Sequence, residues 1–228
     1  MSHTPACLNP TEEDIQSLLS TKAHLGAQNV DSRMLLYVYQ CHDDGVSIIN
    51  VVKTWEKLVL TARAIAAIED LQDVCVILSC QLGQHSVRKY GIHTGAQGLA
   101  GCFTPGNFTN YIFHKFKEPH LIVVADPCID SQAIQKASYV NIPVIAFCNT
   151  DLLLEHVDIV IPMNNTGKHA ISLGFWLLAN KNVMVYLYFC KDEEIEKDQE
   201  AITEKLVESG WKEAPKGADM AVHANAEN

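Results

Sequence analysis

The sequence predicts an α/β protein, an αβα sandwich around a mainly parallel five-stranded sheet with a short acidic C-terminal tail. Three observations carry this. Five short apolar, β-branched runs recur, at Ser47–Val52, Val74–Ser79, Leu121–Ala125, Ile142–Phe147 and Val157–Ile161. Each is apolar on both faces, as strands are when helices cover both sides of a parallel sheet. Helical patterns alternate with them, and strand, helix, strand repeated this way gives a doubly wound fold with right-handed crossovers.

Taken in order, Leu35–Gln40 is an earlier strand expected to pair with Ser47–Val52 through the turn Asp43-Asp44-Gly45. Thr54–Ile68 is the first crossover helix. Trp55, Leu58, Ala62, Ile65 and Ala66 form its apolar stripe, Glu56, Lys57 and Arg63 lie off it, and Thr54 is its expected N-cap. Arg88 and Lys89 are expected in mid-helix, and Ser131–Tyr139 and Thr166–Leu178 are further crossover helices. Gly95–Asn110 is rich in Gly, Thr, Pro and Asn. It reads as a long loop, and a loop of that length in a compact domain is usually functional. Residues 191–210 intersperse acids and lysines around Ile195, Ile202 and Leu206, a spacing that supports a helix. The last dozen residues are expected to be disordered. The expected division is an αβα domain over 1–190 and an acidic tail over 191–228.

The chain has 228 residues and a formal charge of -10. That charge argues against nucleic-acid binding until it is located, because phosphates are neutralised by Lys and Arg. Residues 191–228 hold 11 acids and 5 lysines, whereas residues 1–190 hold 16 acids and 12 bases. Most of the excess is therefore in the tail. The eight cysteines show no pair at zinc-knuckle spacing, so reduced thiols, a cytosolic chain and no metal are expected. No signal or transit peptide is read at the N-terminus, and no apolar run approaches the roughly 20 residues of a membrane span.

Catalytic motifs are weak. Asp126, Asn149, Thr150 and Asp151 follow strands, where α/β folds place ligands, but the same residue types make turns at strand exits, and that reading takes precedence. Asn164-Asn165-Thr166-Gly167-Lys168-His169 fails as a phosphate loop, since Pro162 replaces its first glycine and His169 its hydroxyl. No cofactor is implied. Basic residues are the stronger signal. Lys53, Lys57, Arg63, Arg88, Lys89 and Lys168 flank or lie on helices, and Lys115 and Lys117 alternate with Phe113 and Phe116. Beside them Thr104, Asn107, Thr109 and Asn110 offer hydroxyls and amides, with backbone donors at Gly95, Gly98 and Gly101. Such groups hold RNA phosphates and sugars without reading sequence.

Several words in order carry a resemblance. They include His24-Leu25-Gly26, Asp44 to Asn50 running into Thr54-Trp55-Glu56-Lys57-Leu58, Ala62-Arg63-Ala64-Ile65 and Thr94-Gly95-Ala96. Further on stand Phe103-Thr104-Pro105-Gly106, Phe108-Thr109-Asn110, Glu118-Pro119, Ala137 to Pro143, Cys148-Asn149-Thr150-Asp151 and Ile161-Pro162. From about Thr11 to Lys197 the chain resembles the eukaryotic small-subunit ribosomal protein SA family, also called the laminin-receptor precursor family. This is the eukaryotic counterpart of the universal small-subunit ribosomal protein two.

The resemblance implies a flavodoxin-like body with no catalytic residues, acting as a structural constituent of the cytosolic ribosome. It implies contacts to small-subunit rRNA and neighbouring ribosomal proteins, on the solvent side between body and head near the mRNA exit, and a part in subunit maturation. DNA, a membrane and a homo-oligomer are not implied. Family arginines are replaced by Cys102, His120 and Cys128. The segment before Tyr186 is shorter than the family's, and the family's long Trp-bearing acidic tail is missing. The remaining tail is expected to bind a neighbouring protein through Ile195, Ile202, Leu206 and Trp211.

Overall fold

The computed structural model describes residues 8–114, 116–179 and 183–189. Among them, five parallel strands form one sheet: β3 (Val74–Leu78), β4 (Gln97–Ala100), β5 (Leu121–Val124), β6 (Val144–Cys148) and β7 (Ile159–Pro162). Their spatial order is β4-β3-β5-β6-β7. The chain thus runs outward in both directions from β3 and reverses between β3 and β5. This is the flavodoxin-like order, and the reversal is where such folds open a crevice at the strands' carboxyl ends.

Strand alternation divides the interior in two. On β3, Val74, Val76 and Leu78 join one core cluster, while Cys75 and Ile77 join the other. The first cluster takes in side chains of α1 (Glu12–Ser20), α2 (Val51–Ala66), α3 (Gln81–Thr94) and α5 (Lys168–Ala179). Helix α5 is apolar around most of its circumference because it packs against α1, α2 and α3 as well as the sheet. Gly174 allows that approach, since a Cβ there would lie 3.1 Å from both Met163 and Phe147. Among the described residues, the second cluster takes its α-helical cover from α4 (Ser131–Tyr139), the rest coming from a short 3-10 turn through Met34 and from connections through Phe108 and Leu152. That face is the one left to loops.

The structure corrects three expectations. Ser47–Ile49 is a strand (β2), but it lies outside the parallel sheet. It pairs antiparallel with β1 (Val38–Cys41) in a separate two-stranded ribbon. The turn is as expected, with Gly45 at φ 81° and its N–H donating to His42 O at 2.9 Å. The fifth strand of the main sheet is β4, inside the stretch read as loop. Gln-Gly-Leu-Ala lacks the β-branched signature, but parallel pairing with β3 along its whole length outweighs propensity there. Helix α2 begins at Val51, capped by Asn50 Oδ1, which accepts from the Val52 N–H at 3.0 Å. Thr54 is already inside the helix, buried, and donates its hydroxyl to Pro162 O at 2.7 Å.

Candidate nucleic-acid interface

The connection from β4 to β5 crosses the sheet with turns rather than a helix among its described residues. Phe108 is buried in the second core cluster, and its ring meets that of Phe103 at 5.1 Å. This aromatic pair roots the loop. Local backbone bonds then fold it on itself, from the Asn110 N–H to Gly106 O at 3.0 Å and from the Lys117 N–H to Asn107 O at 2.8 Å.

The root decides which polar groups face outward. Thr104, Thr109 and Asn110 are exposed, whereas Asn107 is only 5 % exposed and its Oδ1 is buried without a partner. Of the expected backbone donors, Gly95 N–H is used by Gly91 O as α3 ends with Gly95 in the left-handed region. Gly101 N–H is used by Leu78 O, and Gly98 lies within β4. The loop therefore presents side chains, not a glycine nest. It also presents Tyr111 and Ile112, 80 % and 74 % exposed, which sequence reasoning missed. Their signal was a run of three apolar residues, Tyr111-Ile112-Phe113, directly after the polar Thr109-Asn110.

The described basic residues are spread over several elements. Lys117 sits half-buried at the loop's end, and Lys115 lies outside the described residues. Lys57 Nζ lies 5.8 Å from the Tyr37 ring centroid, and Lys53 Nζ donates to Leu36 O, so both are drawn toward the chain before β1. Arg63 is exposed in the last turn of α2. Arg88 and Lys89 lie mid-helix on α3, the first exposed and the second half-buried, and Lys168 opens α5.

At the exit of β6 the strand end is covered by the protein's own chain. Thr150 Oγ1 accepts from the Ala27 N–H at 2.9 Å and donates toward Asn29 O at 3.2 Å, and Thr150 O accepts from the Asp31 N–H at 2.8 Å. Asn149 is buried, its Oδ1 accepting from the Thr150 N–H. Gly26 makes the approach possible, because a Cβ there would lie 2.7 Å from Thr150 Cγ2. At the β3 exit Asp130 takes both the hydroxyl and the N–H of Ser79, and Ser79 also reaches Gly101 O. Burial pushes the Asp130 carboxyl above its ordinary value, against the pull of the Ser79 hydrogen bonds. Asp126 is raised by burial too, with the Asp151 charge adding to it, while its Oδ1 accepts the Cys128 N–H in a turn. Asp126 and Asn149 serve turns, as the sequence suggested.

Burial pushes the Cys75 thiol up to about 12 and Cys148 higher still, so neither is a ready nucleophile. The three positions where the resemblance implies arginine differ from one another. Cys102 is exposed just after β4. His120 is exposed beside Asp73, ring nitrogen to carboxylate 3.6 Å. Cys128 lines a cavity together with Asp151 and Glu155. Ile195, Ile202, Leu206 and Trp211 lie outside the described residues.

Comparison with known proteins matches residues 107–182 to the Ribosomal protein S2 family. The small ribosomal subunit protein uS2 of Aspergillus niger is 50% identical over 220 residues, covering 90% of this chain and 74% of the relative. Schizosaccharomyces japonicus small ribosomal subunit protein uS2B is 53% identical over 211 residues, covering 86% and 75%. Podospora anserina uS2 is 45% identical over 258 residues, covering 99% and 89%. A shared half of all residues across nearly the whole chain, on a flavodoxin-like body, places the protein: it belongs to the eukaryotic uS2 family, structural components of the ribosome and not enzymes.

Proposed function

We propose that the chain is a structural constituent of the small ribosomal subunit that binds small-subunit rRNA and neighbouring ribosomal proteins. Its site is the solvent side between body and head near the mRNA exit of the cytosolic ribosome, where it supports subunit maturation and translation. The observation that carries this is identity of about half to relatives named small ribosomal subunit protein uS2, sustained over 90% of the chain.

The rRNA-facing surface is the connection after β4. Thr104, Thr109 and Asn110 supply polar contacts, Lys115 and Lys117 supply charge, and Tyr111 supplies a ring for an unstacked base. Lys53, Lys57, Arg63, Arg88, Lys89 and Lys168 contribute long-range attraction to phosphate rather than one binding patch. Cys102 lies on the same connection, so Cys102→Arg should steepen the salt dependence of RNA binding by roughly 0.7–0.9 in log–log slope. His120 and Cys128 stand beside carboxylates, and arginines there would meet an ion pair before a phosphate. The acidic tail, 191–228, binds a basic protein neighbour through Ile195, Ile202, Leu206 and Trp211.

Sedimentation of native extract through a sucrose gradient tests the reading. The chain should travel with the small subunit and move to the top after RNase. A chain that stays at the top without RNase is not a ribosomal constituent.

A further inference from the structure

In a doubly wound fold, right-handed crossovers in one direction place successive helices side by side on one face. Strands β5, β6 and β7 run in that way, and α4 covers the step from β5 to β6. The next step, residues 149–158, contains no helix, so the place beside α4 is filled only by a loop. Leu152 turns inward and is buried, while Leu153 is 68 % exposed.

What remains is a groove between α4 and this loop. Toward the carboxyl ends of the strands it opens into a cavity of about 420 Å³, with Pro127, Ile134, Leu152 and Leu153 as apolar lining. Toward their amino ends it continues past His156 into a second depression of about 350 Å³ beside Ile142, Pro143 and Asp158. Asp151, Glu155 and Asp158 line the two depressions, and neither lysine nor arginine does. The lysine of α4, Lys136, lies instead over the Tyr139 ring at 4.9 Å.

We infer that this groove is the docking site for a basic segment of a neighbouring small-subunit protein, which inserts an apolar side chain into the larger cavity. The inference rests on the ribosomal reading above. Charge selects the occupant. Three carboxylates with no paired cation in the lining repel phosphate and attract arginine or lysine, and an apolar floor adds an anchor that a hydrated phosphate chain cannot use. The protein's own tail, with 11 acids against 5 lysines, is repelled from the same lining. A second copy of a chain of net charge -10 brings no complementary charge either.

The test places the photo-cross-linking residue p-benzoylphenylalanine at Leu153, and separately at exposed Gln135, in tagged full-length chain purified within small subunits. Both positions should cross-link to a ribosomal protein, at a peptide that mass spectrometry shows to carry net positive charge and a Leu, Ile, Met or Phe. The double variant Asp151→Lys/Glu155→Lys should lose that product at least tenfold while still sedimenting with the subunit. Cross-links to rRNA, cross-links to a second copy, or no product from either position in subunits that contain the chain each overturn the inference alone. A chain absent from the small-subunit peak overturns the ribosomal reading and this inference with it.

Discussion

Two connections leave the carboxyl ends of parallel strands in the same sheet, with nearly the same chemistry and opposite outcomes. After β6, Asn149 and Thr150 turn inward, and Thr150 holds the segment Ala27–Asp31 by three hydrogen bonds. After β4, Thr104, Thr109 and Asn110 remain exposed, although the loop is rooted by Phe108. The same residue types are therefore structural in one place and available to a partner in the other. What separates them is whether another segment of chain reaches the strand ends. At β6 the close approach of Gly26 supplies one, and at β4 the loop is left to itself.

Perturbing the closed region should have the larger effect on stability. Gly26→Val would push a branched side chain into Thr150 Cγ2 and toward Ser47 O, which a Cβ alone already meets at 3.0 Å. We expect a loss of about 3 kcal/mol by denaturant unfolding, the upper end of the overpacking range. A variant as stable as wild type would show that the Gly26–Thr150 contact does not close the crevice. Thr150→Val keeps the shape but leaves the Ala27 N–H without its acceptor, and should cost about 2 kcal/mol.

Asp130 gives a smaller, pH-dependent signal. Its carboxyl is raised above the ordinary 3.8 in the folded protein, so the native state holds that proton more tightly than the unfolded chain. Stability from this group is then lost as pH rises from the ordinary value through the raised one, and the slope is negative there. Asp130→Asn should flatten that slope in unfolding curves taken from acid toward neutrality, and an unchanged slope would remove Asp130 as its source. The smallest stability effect should come from the open region. Thr109→Ala with Asn110→Ala should change unfolding free energy by less than about 0.5 kcal/mol. Incorporation into small subunits should nevertheless fall several-fold in competition with wild type.

The contrast between the regions also shows what could be read from residues. β3, β5 and β6 were legible because their runs are apolar on both faces, and all are buried throughout. The same signature misplaced Ser47–Ile49. Its burial comes from pairing with β1 on one side and with the segment around Leu25 on the other, not from membership of the main sheet. β4 was invisible for the opposite reason, because a four-residue edge strand containing Gly98 has little local preference. At the candidate site, Thr109 and Asn110 were legible as exposed polar residues. Asn107 was not, since its burial follows from the anchoring of its neighbour Phe108, a tertiary event with no local sign. The groove beside α4 was equally hidden. It depends on a crossover lacking a helix, which only the assembled topology reveals.

The central claim is that the connection after β4 faces RNA while the strand ends after β6 are closed by the chain itself. Ultraviolet cross-linking of intact small subunits, followed by mass spectrometry of this protein's peptides, reads both regions at once. RNA adducts should map to residues 102–117, with Tyr111 foremost because its exposed ring can stack on a base, and none should map to Asn149–Asp151. Adducts concentrated at Asn149–Asp151 with an unmodified 102–117 would contradict the account.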